Sequence, residues 1–288
     1  AMVAFLENFP DVIRCFVTEE NKVFESVKNN KEERITRLEA TDSKSPYHNL
    51  VIAETQLMWA MGRIKYEEYV TAALELNRAY RLLVENQKKF PGFALNKKSL
   101  GLLHFMIGTI PDSYKYITNL LGIRGTVKQG LNELKSFYAL TQNDPEYAIY
   151  RTEAMLYLGM VLINYTPYES DAIELMRDIE KEQTVNPLML YIYGSIGLKS
   201  GHSDEVISMF LKNPFGNDYF PFPYLYLQLG EAKLNRQDDD AIVWLSKYLT
   251  QFKGKNYIKA ANQRISWYYL LKGDEAKDRK STRLNSSH

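Results

Sequence analysis

The sequence predicts an all-α fold made of repeated helix pairs, and three observations lead to this prediction. Gly and Pro are scarce, with 15 and 10 among 288 residues, which favours helices over a turn-rich β fold. A small residue recurs within apolar stretches at a nearly constant interval in the second half of the chain. Prolines stand at several expected helix starts, mostly after Ser, Asp or Asn, as is common at helix N-termini.

The recurring small residues are Gly159, Gly194, Gly230 and Ser266, at separations of 35, 36 and 36 residues. A small side chain at this position allows the first helix of a pair to approach its second helix closely. The interval is close to the period of about 34 residues in tetratricopeptide repeats. We therefore expect a tetratricopeptide-like α-solenoid of stacked antiparallel helix pairs, with pairs at this interval from residue 147 onward.

Polar and proline-containing turns mark the expected helix starts. Asp144-Pro145, Asn186-Pro187 and Pro223 fit an N-cap or the first turn of a helix. Ser203-Asp204-Glu205 and Asp238-Asp239-Asp240 each precede the second helix of a pair. We expect these acidic and hydroxyl side chains to cap the helix and to oppose its dipole.

The first half has a helical pattern of a different kind. Ser45-Pro46 is expected to start a helix, Pro111 to stop one, and the turn at Gly122 and Gly125 to lead into another. Small and apolar residues recur at helical spacing after Ser45-Pro46. They are Ala53, Leu57, Ala60, Met61, Ile64, Val70, Ala73, Leu74, Asn77, Tyr80 and Leu83.

A set of residues in this half matches a known family. The set comprises Ala53-Glu54, Leu57, Ala60, Val70, Ala73, Asn77-Arg78-Ala79-Tyr80, Gly101, Thr109-Ile110-Pro111, Leu120-Leu121-Gly122-Ile123-Arg124-Gly125, Gly130-Leu131 and Leu134. It resembles the family of tetratricopeptide repeat protein thirty-nine and the fungal inclusion-body clearance protein, in a bacterial branch where the eukaryotic SxxP reads Gly-Thr-Ile-Pro. The resemblance covers roughly residues 47–277. It implies an all-helical repeat scaffold without known catalytic residues.

The patterns divide the chain into four segments. Residues 1–46 are predicted to be an N-terminal helical segment that packs on the array, with a solvated mixed-charge face over 28–37. Residues 47–142 form the family-specific helical core, and residues 143–277 form the tetratricopeptide-like repeats, the last of them truncated. Residues 278–288 read DRKSTRLNSSH, which is the translation of a common sequencing adapter, and are expected to be a non-native tail.

The sequence offers no constellation for catalysis or metal binding. No nucleophile elbow, phosphate-binding loop or dinucleotide-binding motif occurs, and no His pairs with a ligand at metal-binding spacing. The single Cys15 excludes an intramolecular disulfide framework and is expected to be a buried small hydrophobe. His104 is expected to be a hydrogen-bonded core histidine, and Asp238-Asp239-Asp240 a charged helix turn instead of a cation site. We expect no enzymatic activity, no cofactor and no metal.

Net charge and hydropathy limit the classes of partner that the chain is expected to have. The adapter-like tail has a net charge of +2, and the whole chain has a formal net charge of +1. Without the tail, the chain therefore has a net charge of about −1. The basic surface expected of a nucleic-acid binder is therefore absent overall. No apolar stretch reaches the roughly 18 to 20 residues that span a bilayer. The sequence does not determine the cellular compartment. The alternatives are the cytoplasm and, if a signal peptide was lost with the N-terminus, a bacterial cell envelope.

These observations favour a non-enzymatic scaffold that binds a protein or peptide through its concave helical surface. A solenoid that handles lipid or a small ligand is the alternative, suggested by the fungal relative's association with lipid bodies and by the 21 Tyr and 13 Phe. The aromatic run 220–226 is expected to pack between repeats or to form a partner-binding patch.

The side chains expected to line the concave surface lie on the first helix of each pair. They are three residues before, one residue after, and four or five residues after the recurring small residue. They are Tyr191, Ser195, Leu198 and Lys199 around Gly194, and Leu227, Glu231, Leu234 and Asn235 around Gly230, with Tyr224 one turn earlier. From these we expect five residues to form the centre of a partner-binding groove, because Tyr gives contact area and charges fix register. The five are Tyr191, Lys199, Tyr224, Glu231 and Asn235.

Overall fold

A computed structural model describes residues 2–110, 112, 116, 122–164, 169–182, 186–212 and 220–274. The described residues form helices joined by turns and contain no β-strand, which confirms the all-α prediction. The chain divides into two compact units, Ala1–Val161 and Leu162–His288, and each is described by itself. Pro111, most of residues 112–121 and the adapter-like residues 278–288 lie outside the described residues, so the expectations for them stay predictions.

The first unit contains eight described helices and the start of a ninth. Ser45 begins the fifth as predicted, because its Oγ accepts a hydrogen bond from the Tyr47 amide and Pro46 takes the first helical position. A 3₁₀ turn at Ala148–Tyr150 precedes the ninth helix. The helices are α1 Met2–Leu6, α2 Asn8–Thr18, α3 Asn21–Val27, α4 Asn30–Glu39, α5 Pro46–Lys65, α6 Tyr69–Lys89, α7 Leu95–Gly108, α8 Val127–Asn143 and α9 Arg151–Asn164.

Helices α7 and α8 pack with their backbones in near contact. A Cβ atom added to Gly101 would lie 2.9 Å from Cγ of Leu134, and one added to Gly130 would meet the main chain of Gly101 and Phe105. Only glycine allows helices to approach this closely. Gly101, Gly130 and Leu134 belong to the residues that carry the family resemblance, so that motif has a packing role here.

The apolar residues of α6 that recur at helical spacing do not all lie on its buried face. Val70 and Leu74 are exposed, whereas Glu75 is buried. Glu75 Oε1 lies 2.5 Å from Nζ of Lys31 and 2.9 Å from Nε of Arg63, both buried. The helical spacing of Val70 and Leu74 therefore does not place them in the core, and a buried ion-pair network occupies part of the face of α6 that turns inward.

The mixed-charge run 28–37 has a solvated side, since six of its ten residues are exposed, but its other side packs inside the unit. Ile35 and Lys31 are buried, and Arg34 lies 2.7 Å from Asp11 of α2. Helix α4 packs against α5 and contributes these side chains to ion pairs between helices. Charge alternation in the sequence could not show this, because it looks the same for a paired and a solvated helix.

Two further predictions for the first unit are confirmed. Cys15 is buried, and this burial raises the pKa of its thiol to about 11, so it is an inert small hydrophobe. His104 is also buried, and its Nδ1 lies 2.6 Å from Oε2 of Glu133 on α8.

The second unit contains the end of α9 and six further described helices. Asn186 begins the second of the six as predicted, because its Oδ1 accepts a hydrogen bond from the Leu188 amide at 3.0 Å. Pro223 immediately precedes a helix, also as predicted. The helices are α10 Glu169–Lys181, α11 Pro187–Lys199, α12 Ser203–Lys212, α13 Tyr224–Asn235, α14 Ala241–Gln251 and α15 Ile258–Leu271.

Gly194 and Gly230 lie where the two helices of a pair meet, as predicted. A Cβ atom on Gly194 of α11 would lie 2.6 Å from Cζ of Phe210 on α12. A Cβ atom on Gly230 of α13 would lie 2.8 Å from Cγ and Cδ2 of Leu245 on α14. Ser266 of α15 is buried at the corresponding position. The repeat in the sequence therefore reflects a repeated helix–helix contact.

Candidate functional site

The five predicted partner-binding residues differ in how far they reach solvent. Lys199 and Asn235 are exposed, and Tyr191 and Glu231 are half-buried. Tyr224 is only 4% exposed. The structure therefore leaves at most four of the five available to a partner.

Tyr224 belongs to an aromatic cluster in the core of the second unit. Its ring centroid lies 5.1 Å from that of Phe252 and 5.7 Å from that of Tyr257. The expectation that Tyr224 lies on an exposed surface is wrong. The same expectation for Leu227 and Leu234 is also wrong, because both are buried. Helix α13 has neighbours on several sides, since it packs against α11, α12, α14 and α15, so positions that would be free on a helix with one neighbour are covered.

The aromatic run 220–226 mostly supplies packing. Tyr226 is buried, Phe222 is half-buried, and Phe220 is exposed. Tyr191 joins this cluster, with its ring centroid 5.6 Å from that of Phe222 and 5.9 Å from that of Tyr224. Tyr191 as a whole residue is half-buried.

Glu231 belongs to a polar link that recurs between successive first helices. Gln228 Nε2 donates to Ser195 Oγ at 2.7 Å, and Arg264 Nη2 lies 2.6 Å from Oε1 of Glu231. Ser195 and Glu231 each follow a recurring glycine by one residue. Gln228 and Arg264 each precede the next small residue, Gly230 or Ser266, by two. The same two repeat positions therefore connect α11 to α13 and α13 to α15.

Lys199 and Asn235 also occupy one repeat position, five residues after the recurring glycine. Lys199 Nζ donates to the carbonyl of Ile163 at the end of α9. Asn235 Nδ2 donates to Oγ of Ser203 at the start of α12, at 3.1 Å. Both side chains reach back to the preceding helix pair while they remain exposed to solvent.

A second recurring link uses the residue six positions after the small residue. Arg236 Nη1 lies 3.2 Å from Oδ1 of Asp204, and Lys272 Nζ lies 2.5 Å from Oδ1 of Asp239. Asp204 lies in the first turn of α12, and Asp239 lies two residues before α14. These aspartates thus join a helix pair to the next one.

Contrary to the prediction, the acidic turn 238–240 does not cap α14. Asp240 takes the N-cap position without a capping hydrogen bond, and its Oδ2 lies 2.9 Å from Nζ of Lys233. The hydrogen bond from Arg236 lowers the pKa of Asp238. Cations in or just after α13 and α15 therefore pair with these carboxylates. No group of three metal-ligating side chains occurs in the described parts of the chain.

A buried charged cluster in the first unit has no counterpart in the sequence predictions. Lys98 Nζ of α7 lies 2.9 Å from Oε1 of Glu54 on α5 and 2.7 Å from Oε2 of Glu153 on α9. The Lys98 and Glu54 side chains are 2% and 4% exposed. Burial raises the pKa of Glu54, against the opposing effect of Lys98. No sequence signal could have identified the cluster, because its three members come from distant helices.

A small hollow lies between α9, α10 and α11. It has a volume of about 120 Å³ and is lined by both apolar and charged residues, among them Ile163, Glu169 and Lys199. Sites for drug-sized ligands typically have volumes of about 300–1,000 Å³. The hollow therefore does not favour the alternative in which the chain handles a lipid.

Comparison with protein-family models, curated protein sequences and solved structures returns no match for this chain. Among the helices that the structure describes, none is both long enough and apolar enough to span a bilayer.

Proposed function

We propose that this chain is a non-enzymatic scaffold whose helix pairs stack antiparallel into a tetratricopeptide-like solenoid and bind a protein partner on the surface formed by the first helices. We further propose that it is a bacterial relative of the tetratricopeptide repeat protein thirty-nine and inclusion-body clearance family. A solenoid of this kind acts by presenting an extended surface, and its partner is a protein or peptide, not a nucleic acid.

The observation that carries the proposal is the recurrence of polar links at the same or, for the two aspartates, neighbouring repeat positions. Gln228–Ser195 and Arg264–Glu231 join first helices, and Arg236–Asp204 and Lys272–Asp239 join each first helix to the preceding pair. Similar relations between successive neighbours are expected in a regular superhelix. They support a stack of equivalent pairs over a bundle in which each helix has its own environment.

The proposed binding surface is centred on α11 and the residues that remain accessible next to it. Lys199 and Asn235 are exposed at equivalent positions, and Tyr191 is half-buried. The binding role of these residues and of Glu231 stays a prediction, and Tyr224 is removed from it. Such a surface suits a peptide, because the aromatic side chain provides contact area and the separated charges fix the register in which the peptide binds.

The test uses peptides selected by phage display from a random library against the intact chain. Their affinities are measured by fluorescence anisotropy with wild type, with Lys199→Glu and with Lys212→Glu. Lys212 is an exposed lysine on the second helix α12 and serves as the matched control. We expect Lys199→Glu to weaken most selected peptides about tenfold or more. Equal losses in both variants, or failure to select any saturable binder, contradict the proposal.

A further inference from the structure

The hollow between α9, α10 and α11 has an apolar floor. Leu162, Ala172 and Ile196 line it, and they are 4%, 7% and 1% exposed. A cavity of about 150 Å³ with apolar walls is large enough for a benzene molecule. The hollow has a volume of about 120 Å³, so its size suits a single aliphatic side chain of a ligand.

Two opposite charges border the hollow. Glu169 is in the first turn of α10 and Lys199 is in the last turn of α11, and both are exposed. Glu169 lies on the same side of α10 as Ala172, because three residues separate them. Lys199 lies on the same side of α11 as Ile196 for the same reason. The hollow therefore combines an apolar floor with a rim of mixed charge.

The two rim charges do not neutralise each other. Among the described residues, neither Glu169 nor Lys199 has an opposite charge within the 4.0 Å of an ion pair. Lys199 Nζ donates to the carbonyl of Ile163, but an ammonium has three donor hydrogens, so it can also bind a carboxylate. Helix dipoles favour an acid at the start of α10 and a base at the end of α11. They do not require both charges to border one hollow.

We propose that the hollow holds an aliphatic side chain of a peptide partner, flanked in the peptide by an acidic residue that pairs with Lys199 and a basic residue that pairs with Glu169. This inference rests on the proposed function, and it defines the peptide as an aliphatic anchor between opposite charges. Burial of the anchor provides affinity, and the exposed ion pairs fix the direction of the peptide. A nucleic acid fits this rim less well, because Glu169 would repel its phosphates.

The probes are short peptides with blocked ends and a central leucine. One has Glu before the leucine and Lys after it, and a second has the reverse order. Control peptides have Gly in place of the leucine, or two Glu or two Lys beside it. NMR titrations of the intact chain follow the methyl signal of Ile196, which Ile196→Val assigns.

We expect one of the two mixed-charge leucine peptides to bind at least about tenfold more tightly than its glycine counterpart, because only leucine fills the hollow. We expect the same peptide to bind at least about threefold more tightly than the leucine peptides with two like charges. Each of those loses one ion pair and gains a repulsion at the rim.

Two variants connect this binding to the hollow. Ala172→Leu fills the floor and is expected to weaken the best peptide about tenfold or more. Ala139→Leu, the same change at an exposed position of α8, is the control and should leave the affinity unchanged. Lys199→Glu changes an exposed side chain, so it tests the rim even if Ala172→Leu disturbs the fold. It should transfer the preference to the leucine peptide with two Lys.

Several outcomes overturn the proposal. A glycine peptide that binds as tightly as the leucine peptide, or no shift of the Ile196 signal with any peptide, excludes the hollow as an anchor site. A charge preference that Lys199→Glu leaves unchanged excludes the rim. Free leucine that binds as tightly as the peptide assigns the hollow to a small molecule. Phage-selected peptides that Lys199→Glu weakens and Ala172→Leu does not would exclude the hollow and leave the proposed function standing.

Discussion

Gly194 and Phe210 are in such close contact that a methyl group added to Gly194 would lie 2.6 Å from Cζ of Phe210. Phe210 is fully buried, so its ring has no free space to move into. The same relation holds between Gly230 and Leu245 in the next helix pair. The spacing of α11 from α12 and of α13 from α14 is therefore set by the absence of a side chain on one residue of each pair.

We expect Gly194→Ala to lower the free energy of unfolding by about 1–3 kcal/mol through overpacking, with Gly194→Leu lowering it further. Gly62 in α5 is the control, because a Cβ atom there would meet nothing within 4 Å. Gly62→Ala should raise the free energy of unfolding by about 0.5–1 kcal/mol, as Ala is the better helix former. Urea denaturation followed by circular dichroism measures both. A Gly194→Ala variant as stable as wild type would show that the helix contact is not tight.

We expect Tyr224→Ala to lower the free energy of unfolding by about 3–5 kcal/mol, since it empties a buried aromatic site. Phe220→Ala should change it by less than about 0.5 kcal/mol, because Phe220 lies at the exposed end of the same aromatic run. Thermal or urea melts distinguish the two. Similar small effects for both would place Tyr224 on the surface, as the sequence prediction had it.

We expect Lys98→Met to lower the free energy of unfolding by about 3–5 kcal/mol, because it leaves the Glu54 and Glu153 carboxylates close together without their shared cation. The triple change Lys98→Met/Glu54→Leu/Glu153→Gln should recover much of this loss by removing the carboxylates as well. Chemical denaturation of both variants provides the check. A triple variant no more stable than Lys98→Met would indicate that packing, not charge, causes the loss.

We expect the stability of the first unit to fall as the pH rises above 4.5, the ordinary pKa of a glutamate such as Glu54. Burial raises the pKa of this carboxyl in the folded chain, so the folded state binds more protons than the unfolded state in the window that begins there. The free energy of unfolding is then greatest below the window and decreases through it. Glu54→Gln cannot titrate, so the difference between wild type and variant, measured at a series of pH values, isolates this effect. A difference that grows in the opposite direction would contradict the raised pKa.

Local patterns allowed the sequence to predict part of this structure. The helix starts at Ser45 and Asn186 and the contacts of Gly194 and Gly230 depend on residues within one helix pair or one turn. Such features leave a signal at short, regular spacing. They are the part of the fold that could be predicted and was confirmed.

The remaining features depend on contacts that are distant in the sequence. Glu75 is buried because Lys31, 44 positions earlier, lies against it, and nothing in the spacing of apolar residues reveals this. Tyr224 was expected at the surface because the prediction considered one helix face, whereas α13 has several neighbours. The candidate binding surface was therefore only partly predictable, since exposure depends on which helices pack on each side.

The recurring links have a mechanical consequence. The pairs Arg264–Glu231, Gln228–Ser195 and Asn235–Ser203 join residues 33, 33 and 32 positions apart, and Lys199–Ile163 joins residues 36 apart. Each connection thus closes a loop of about one repeat, which keeps contact order low and folding fast. A chain pulled from its end in a force experiment would release such loops one after another, in steps of nearly equal contour length.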